Sequence, residues 1–103
     1  MTALAVVIVA YESAAHLPRT LAAVREQLGP DDELLVVDNA SPDDTVSVAG
    51  DARVLCLKQN LGFAGGCNAG AAATSAPLLF FLNPDAVPAP GCVEALRLSL
   101  IHI

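Results

Sequence analysis

Leu4 to Val9 is an unbroken run of apolar, mostly branched residues. A strand with one wet face alternates polar and apolar side chains, whereas a strand covered on both faces has no reason to. The run predicts a central strand of a parallel sheet. After Tyr11-Glu12-Ser13, Leu17, Leu21, Val24 and Leu28 recur at helical spacing, Pro18 suits a first turn and Gly29-Pro30 stops the pattern. A helix is predicted from about Pro18 to Leu28. Glu33 to Val37 is a second apolar run of strand length, broken at Asp38-Asn39-Ala40-Ser41-Pro42, a cluster of turn formers. Asp43 to Ala49 reads as a short helix with acidic residues at its positive end, and Arg53 to Lys58 as a third strand. Leu61 to Gly66 reads as a Gly-rich loop, and Cys67 to Thr74 as an Ala-heavy helix closed by Pro77. Leu78 to Leu82 is a fourth buried strand that Asn83-Pro84-Asp85 breaks, and Pro90-Gly91 precedes an amphipathic stretch through Val93, Leu96 and Leu100.

Strands alternating with helices mean βαβ units, so the expected fold class is α/β, a mostly parallel sheet with helices on both sides. In open sheets of this kind ligands bind outside the carboxyl ends of the strands. Tyr11, Asp38, Asn60 and Asp85 all fall at those ends.

Composition narrows the classes of function. The 103 residues fit one domain or part of one, and 54% hydrophobic with 16% charged residues is the make-up of a folded core, not of a disordered chain. A net charge of -6 opposes attraction to phosphate backbones, so no nucleic-acid partner is expected. A small phosphorylated ligand stays open if a divalent cation lies between carboxylates and phosphates. Cys56, Cys67 and Cys92 are odd in number and show neither paired nor zinc-ligand spacing, so they read as reduced core residues. The apolar runs are far shorter than the roughly 20 residues that span a bilayer, so no transmembrane segment is expected. Met1-Thr2-Ala3 lacks the basic start of a signal peptide, and a cytoplasmic location is the default.

The turn after the first strand holds no glycine, which argues against G-x-G-x-x-G and P-loop nucleotide sites. A phosphoacceptor receiver domain would need an acidic pair there and an aspartate after the third strand, where this chain has Glu12 alone and Asn60. What remains is an aspartate after strand two, a Gly-rich segment after strand three and Asn-Pro-Asp after strand four. Four segments carry these features: Val6 to Tyr11, Val36 to Ser41, Asn60-Leu61-Gly62-Phe63-Ala64-Gly65-Gly66-Cys67-Asn68-Ala69-Gly70, and Phe81 to Ala86. In that order and spacing they resemble the amino-terminal, nucleotide-sugar-binding half of a family 2 glycosyltransferase of the GT-A fold, most closely its rhamnosyltransferase-like branch. The resemblance covers about Ala5 to Leu96.

Asp38 has a role open to it on chemistry alone, since a carboxylate at a strand end accepts a hydrogen bond from a base imide N–H; an Asx turn or helix cap is the alternative. The resemblance implies the base contact. Tyr11 and Glu12 can line the same pocket, with plain solvent exposure equally open for Glu12. The resemblance implies that Asn60, Gly62 and Asn68 shape the nucleotide and sugar pocket, while their glycine-rich surroundings also serve turn geometry and close helix packing. Phe63 reads as a core plug. Asn83-Pro84-Asp85 stands where many similar enzymes carry Asp-x-Asp, which implies Asp85 as ligand of a divalent metal, Mg²⁺ or Mn²⁺, on the donor diphosphate, with Asn83 beside it. His16 reads as a surface residue at the helix entry.

The resemblance further implies inverting transfer of a sugar, rhamnose on the branch resemblance, from a nucleoside-diphosphate donor to the hydroxyl of a glycan or lipid-linked acceptor, in cell-wall or polysaccharide synthesis at the inner face of the membrane. The acceptor's proton goes to a carboxylate that, in similar enzymes, lies well beyond Asp85; no residue up to Ile103 fits it, and Glu94 follows the motif too closely. The expectation is a donor-binding part, residues 1–103, of a longer domain cut short at its carboxyl end. A sugar-phosphate nucleotidyltransferase would need a basic Gly-rich segment after strand one, which the chain lacks; a non-catalytic nucleotide-sugar-binding module would keep the same pocket.

Overall fold

A computed structural model gives the fold and describes residues 3–101. Met1, Thr2, His102 and Ile103 lie outside the described residues, as do the side chains of Leu100 and Ile101. Four strands, β1 (Leu4–Ala10), β2 (Glu33–Asp38), β3 (Arg53–Cys56) and β4 (Leu78–Leu82), alternate with helices α1 (Leu17–Arg25), α2 (Thr45–Val48), α3 (Gly62–Ala72) and α4 (Cys92–Ile101). All strand pairs are parallel, in the order β3-β2-β1-β4. The chain therefore builds outward from β1 through β2 to β3, then crosses back to set β4 on the other side of β1. The direction reverses beside β1, at the position where open α/β sheets bind ligands.

The expected two-sided burial of β1 is realised, since all seven of its residues are buried. Leu4, Val6 and Ile8 join a core with Leu17, Leu21 and Val24 of α1 and Val93 of α4, while Val7 and Val9 meet Leu35 and Val37 and the partly buried Cys67, Ala69 and Ala73 on the opposite face. Each fully buried Val, Leu or Ile contributes about 1.5–3 kcal/mol, so this strand anchors both layers. β3 and β4 form the two edges and are only partly buried.

Helix boundaries differ from the periodicity in two places. α1 ends at Arg25, three residues before Leu28, because Gln27 and Leu28 take up turn bonds to Val24 and Arg25 and Leu28 is only half-buried. The segment expected as a Gly-rich loop is instead the first turn and a half of α3, which starts at Gly62. Its glycines are there for contact: a Cβ on Gly66 would lie 2.5 Å from Val9 Cγ1, and one on Gly70 2.5 Å from Val7 Cγ1 and 3.1 Å from Val37 Cγ2. Low helix propensity is offset because only glycine lets α3 lie this close to the sheet. Two further expectations fail for the same reason. Phe63 is no core plug but 52% exposed, because the side of α3 that meets the sheet is filled by Gly66 and Gly70. Of the three free cysteines, expected as core residues, only Cys67 packs, partly buried, against a core cluster, and burial pushes its thiol pKa up; Cys56, on the edge strand, is exposed and Cys92 is half-buried.

At the amino edge of the sheet Arg97 of α4 forms a forked pair with Asp32, Nη1 to Oδ1 at 2.8 Å and Nη2 to Oδ2 at 2.6 Å, both side chains under 5% exposed. Asp32 also accepts the Leu4 N–H and the Gly29 N–H, each at 2.9 Å. One carboxylate thus joins α4, the start of β1 and the α1–β2 turn. The Arg97 hydrogen bonds hold the Asp32 pKa down from its ordinary 3.8 to about 2. Because the folded value lies below the unfolded one, the associated stability is complete above the ordinary value and is lost as pH falls through about 2.

Two outcomes are expected. Arg97→Met leaves a buried charge unpaired and is expected to cost about 3–5 kcal/mol in urea unfolding at neutral pH, with Asp32→Asn/Arg97→Met, which removes the charge but keeps an acceptor for backbone N–H, recovering part of the loss. Gly70→Ala forces a methyl into Val7 and is expected to cost about 1–3 kcal/mol in the same measurement.

Candidate functional site

The carboxyl ends of all four strands meet at an open cavity of about 270 Å³ beside β1. It is lined by Val9 and Ala10 of β1 with Tyr11 just after it, Asn39 just after β2, Asn60 from the β3–α3 connection, Gly62 and Phe63 from the first turn of α3, and Pro84 after β4. Three of the residues singled out from sequence, Tyr11, Asn60 and Gly62, stand in this wall. No cationic side chain does.

The wall is held by short side chains that bond to backbone. Asn39, missed in the sequence because it stands next to the more conspicuous Asp38, is 3% exposed and clamps the start of α3. Its Oδ1 accepts the Leu61 N–H and its Nδ2 donates to the Gly62 carbonyl, both at 3.1 Å. The signal available was an asparagine directly after a buried strand, where both ends of an amide need partners. Asn60 Oδ1 accepts the Gly62 N–H at 2.8 Å, and Gly62 takes φ +76°, a left-handed turn open to glycine at no steric cost.

Asp38 ends β2 beside Ala10 of β1 and is 3% exposed. Ser41 donates to both of its oxygens, N–H to Oδ2 at 3.1 Å and Oγ–H to Oδ1 at 2.6 Å. Asp38 thus closes the loop to the residue three positions on, and it keeps acceptor capacity, since a carboxylate offers about four lone-pair sites. Ser41 Oγ in turn accepts the Glu12 N–H at 3.0 Å. Glu12 is exposed at φ +49° and Ala40 stands at +61°, so two non-glycine residues on this rim hold left-handed backbone. Asp43 and Thr45 tie the same two loops together: Thr45 donates its hydroxyl and its N–H to Asp43 Oδ1, and its Oγ1 accepts the Ser13 N–H at 2.9 Å. The Thr45 hydroxyl holds the Asp43 pKa below its ordinary value. Tyr11 is half-exposed, and the Glu12 carboxylate beside it raises its phenol pKa.

Asp38 and Glu12 lie off the cavity wall, and so do the remaining singled-out residues. Asn68 is exposed on α3, two residues from both Gly66 and Gly70, and so on the side of the helix turned from the sheet. Asn83 and Asp85 flank the wall residue Pro84 in an exposed turn closed by the Ala86 N–H on the Asn83 carbonyl, 3.1 Å. Among the described residues no group of three His, Cys, Asp or Glu side chains comes together to hold a metal. His16 is exposed at the helix entry, as expected, and no helix among the described residues is long and apolar enough to cross a membrane.

A parallel sheet of this order, with its cavity at the reversal beside β1, defines a Rossmann-like α/β unit of the GT-A type. The chain belongs to glycosyl transferase family 2, whose model matches residues 5–100. No curated protein sequence matches it. Among solved structures it is similar to Staphylococcus aureus TarS residues 1–349, at TM-score 0.86 and 19% identity over 99% of this chain and 33% of that one. It is also similar to glucosyl-3-phosphoglycerate synthase from Mycobacterium tuberculosis in complex with Mn²⁺, UDP and phosphoglyceric acid, at TM-score 0.84 and 29% identity over 96% of this chain and 39% of that one. The mannosyltransferase PcManGT from Pyrobaculum calidifontis, in complex with GDP-Man and Mn²⁺, matches at TM-score 0.75 and 24% identity over 85% and 29%. The chain thus spans between about three tenths and two fifths of the length of these proteins.

Asn39→Ala removes the clamp and leaves the Leu61 N–H and Gly62 carbonyl without their partner. It is expected to cost about 1–3 kcal/mol in urea unfolding and to speed amide exchange at Leu61 before that at β1.

Proposed function

We propose that this chain is the donor-binding part of a glycosyltransferase that takes its sugar from a nucleoside diphosphate. The observation that carries the reading is the cavity at the strand reversal, neutral and partly aromatic along its wall, with the exposed Asp85 one residue beyond it. A base and ribose suit Tyr11, Asn60 and the backbone of Gly62, which offer an aromatic face, an amide and close backbone approach. Asp38 accepts the base imide, keeping its Ser41 bonds. Glu12 and Asn68 stand further out and belong to the ribose or sugar side.

The diphosphate then lies toward Asn83 and Asp85, where no cationic side chain lines the cavity. Charge compensation has to come from elsewhere. One carboxylate plus an amide oxygen is too small a set to hold a divalent cation alone, but suits Mg²⁺ or Mn²⁺ that takes further ligands from the phosphates. Such a metal, when bound, supplies neutralisation of charge on the departing diphosphate. Asp85 would hold it, and Asn83 in place of a second carboxylate lowers its affinity before the donor arrives. That the M. tuberculosis synthase was solved with Mn²⁺ and UDP supports this reading.

The transfer we propose runs with inversion to a hydroxyl of a glycan or lipid-linked acceptor, in the cytoplasm, and the rhamnosyltransferase-like motifs make dTDP-rhamnose the first donor to test. No side chain of this chain is assigned the acceptor's proton; the protein's own part is to seat the base, orient the diphosphate and expose the anomeric carbon.

The test is calorimetric titration of the folded chain with UDP, dTDP-rhamnose and GDP, each with and without Mn²⁺. Asp85→Ala is expected to abolish the Mn²⁺-dependent gain in affinity while leaving weaker metal-free binding. Equal loss under both conditions, or no binding of any nucleotide to the folded wild type, would sink the reading.

A further inference from the structure

Thr20 lies in α1 and Gln27 in the turn that follows it. Both reach the segment that follows β4. Thr20 is fully buried in the stripe of Leu17, Leu21 and Val24, where a valine of the same shape would bury as well. A threonine inside a helix usually bonds back to its own preceding turn. Here its Oγ1–H donates across 64 positions to the Pro84 carbonyl at 2.7 Å. Gln27 fastens the far end of the segment: Nε2 donates to the Pro88 and Ala89 carbonyls at 3.0 and 2.9 Å, and Oε1 accepts the Val93 N–H at 3.0 Å.

The Pro84 carbonyl belongs to the central peptide of the turn from Asn83 to Ala86. In a β-turn that peptide is the one whose rotation interconverts types I and II, and its rotation swings the residue that follows. That residue is Asp85. Proline fixes φ at position 84 but leaves ψ, the torsion that turns this carbonyl, unset. We infer that Thr20 is a positioning residue: its hydroxyl locks the central peptide of the Asn83–Ala86 turn and thereby aims Asp85 toward the donor's diphosphate. The inference rests on the reading of Asp85 given above. It assigns to a helix on the far side of β1, with no atom in the cavity wall, control over the metal-dependent part of binding alone.

The variants are Thr20→Val, which keeps shape and burial, and Thr20→Ser, which restores the hydroxyl. Both are titrated with UDP and with GDP, with and without Mn²⁺, and the Ala86 amide exchange rate is read in the ligand-free chain. Thr20→Val is expected to speed Ala86 exchange and to cut the Mn²⁺-dependent gain in affinity by roughly three- to tenfold, the worth of one intramolecular hydrogen bond. Metal-free binding should be unchanged, and Thr20→Ser should restore both readouts. An unchanged Mn²⁺ gain in Thr20→Val, or equal loss with and without the metal, overturns the inference. An unchanged Ala86 exchange rate overturns the lock itself, with no ligand involved. Failure of the wild type to bind either nucleotide instead removes the donor-site reading, and the aim assigned to Asp85 goes with it.

Discussion

β1 has its backbone paired on both edges and its side chains covered on both faces, and nothing about the other elements can be chosen independently of that. Its even-numbered residues call for α1 and α4 on one side, its odd-numbered ones for α3 on the other. The second requirement is the stricter, because α3 lies close enough for Val7 and Val9 to occupy the space of absent side chains at Gly70 and Gly66. With α3 pressed down there, its first turn arrives at the ends of β1 and β2 and becomes a wall of the cavity. The packing of a hydrophobic strand thus sets the dimensions of a polar site.

The rim is built on a different principle. Its groups are short side chains bonded to neighbouring backbone, Asn39 to Leu61 and Gly62, Ser41 to Asp38 and Glu12, Thr45 to Asp43 and Ser13. Such bonds hold loops in a chosen shape and bring no cationic side chain to the cavity wall. They also hold Glu12 and Ala40 in left-handed backbone, which costs energy for residues with a side chain and tends to persist where a site over-determines it. A wall without fixed cations leaves the ligand's own charge to be met by something mobile, which fits an exposed Asp85 better than a preformed cage.

The strands were legible in the sequence because they rest on apolar runs ended by turn clusters; their order, and so the reversal beside β1, was not. The places of Asp38 at a strand end and of Asn60 in the cavity wall were legible because strand ends in such a sheet point at one edge. The start of α3 was not, since propensity reads glycine as loop, and only the distance to Val7 and Val9 explains its use in a helix. Phe63 and the cysteines misled for a related cause: side-chain type predicts average burial, whereas actual burial follows the side of the helix or the edge of the sheet that a residue happens to occupy. Thr20 and Arg97 were invisible for want of partners, which lie 64 and 65 positions away.

The pairing of Leu4 with Leu78 also bears on how the chain reaches this state. β1, β2 and β3 can associate as soon as they are made, yet the second edge of β1 stays open until β4 has been synthesised. During that interval the most apolar strand of the protein offers a row of unpaired N–H and carbonyl groups, a template for any other extended chain. The same order that makes β1 the best-protected strand once folded makes it the most exposed to misassembly during folding.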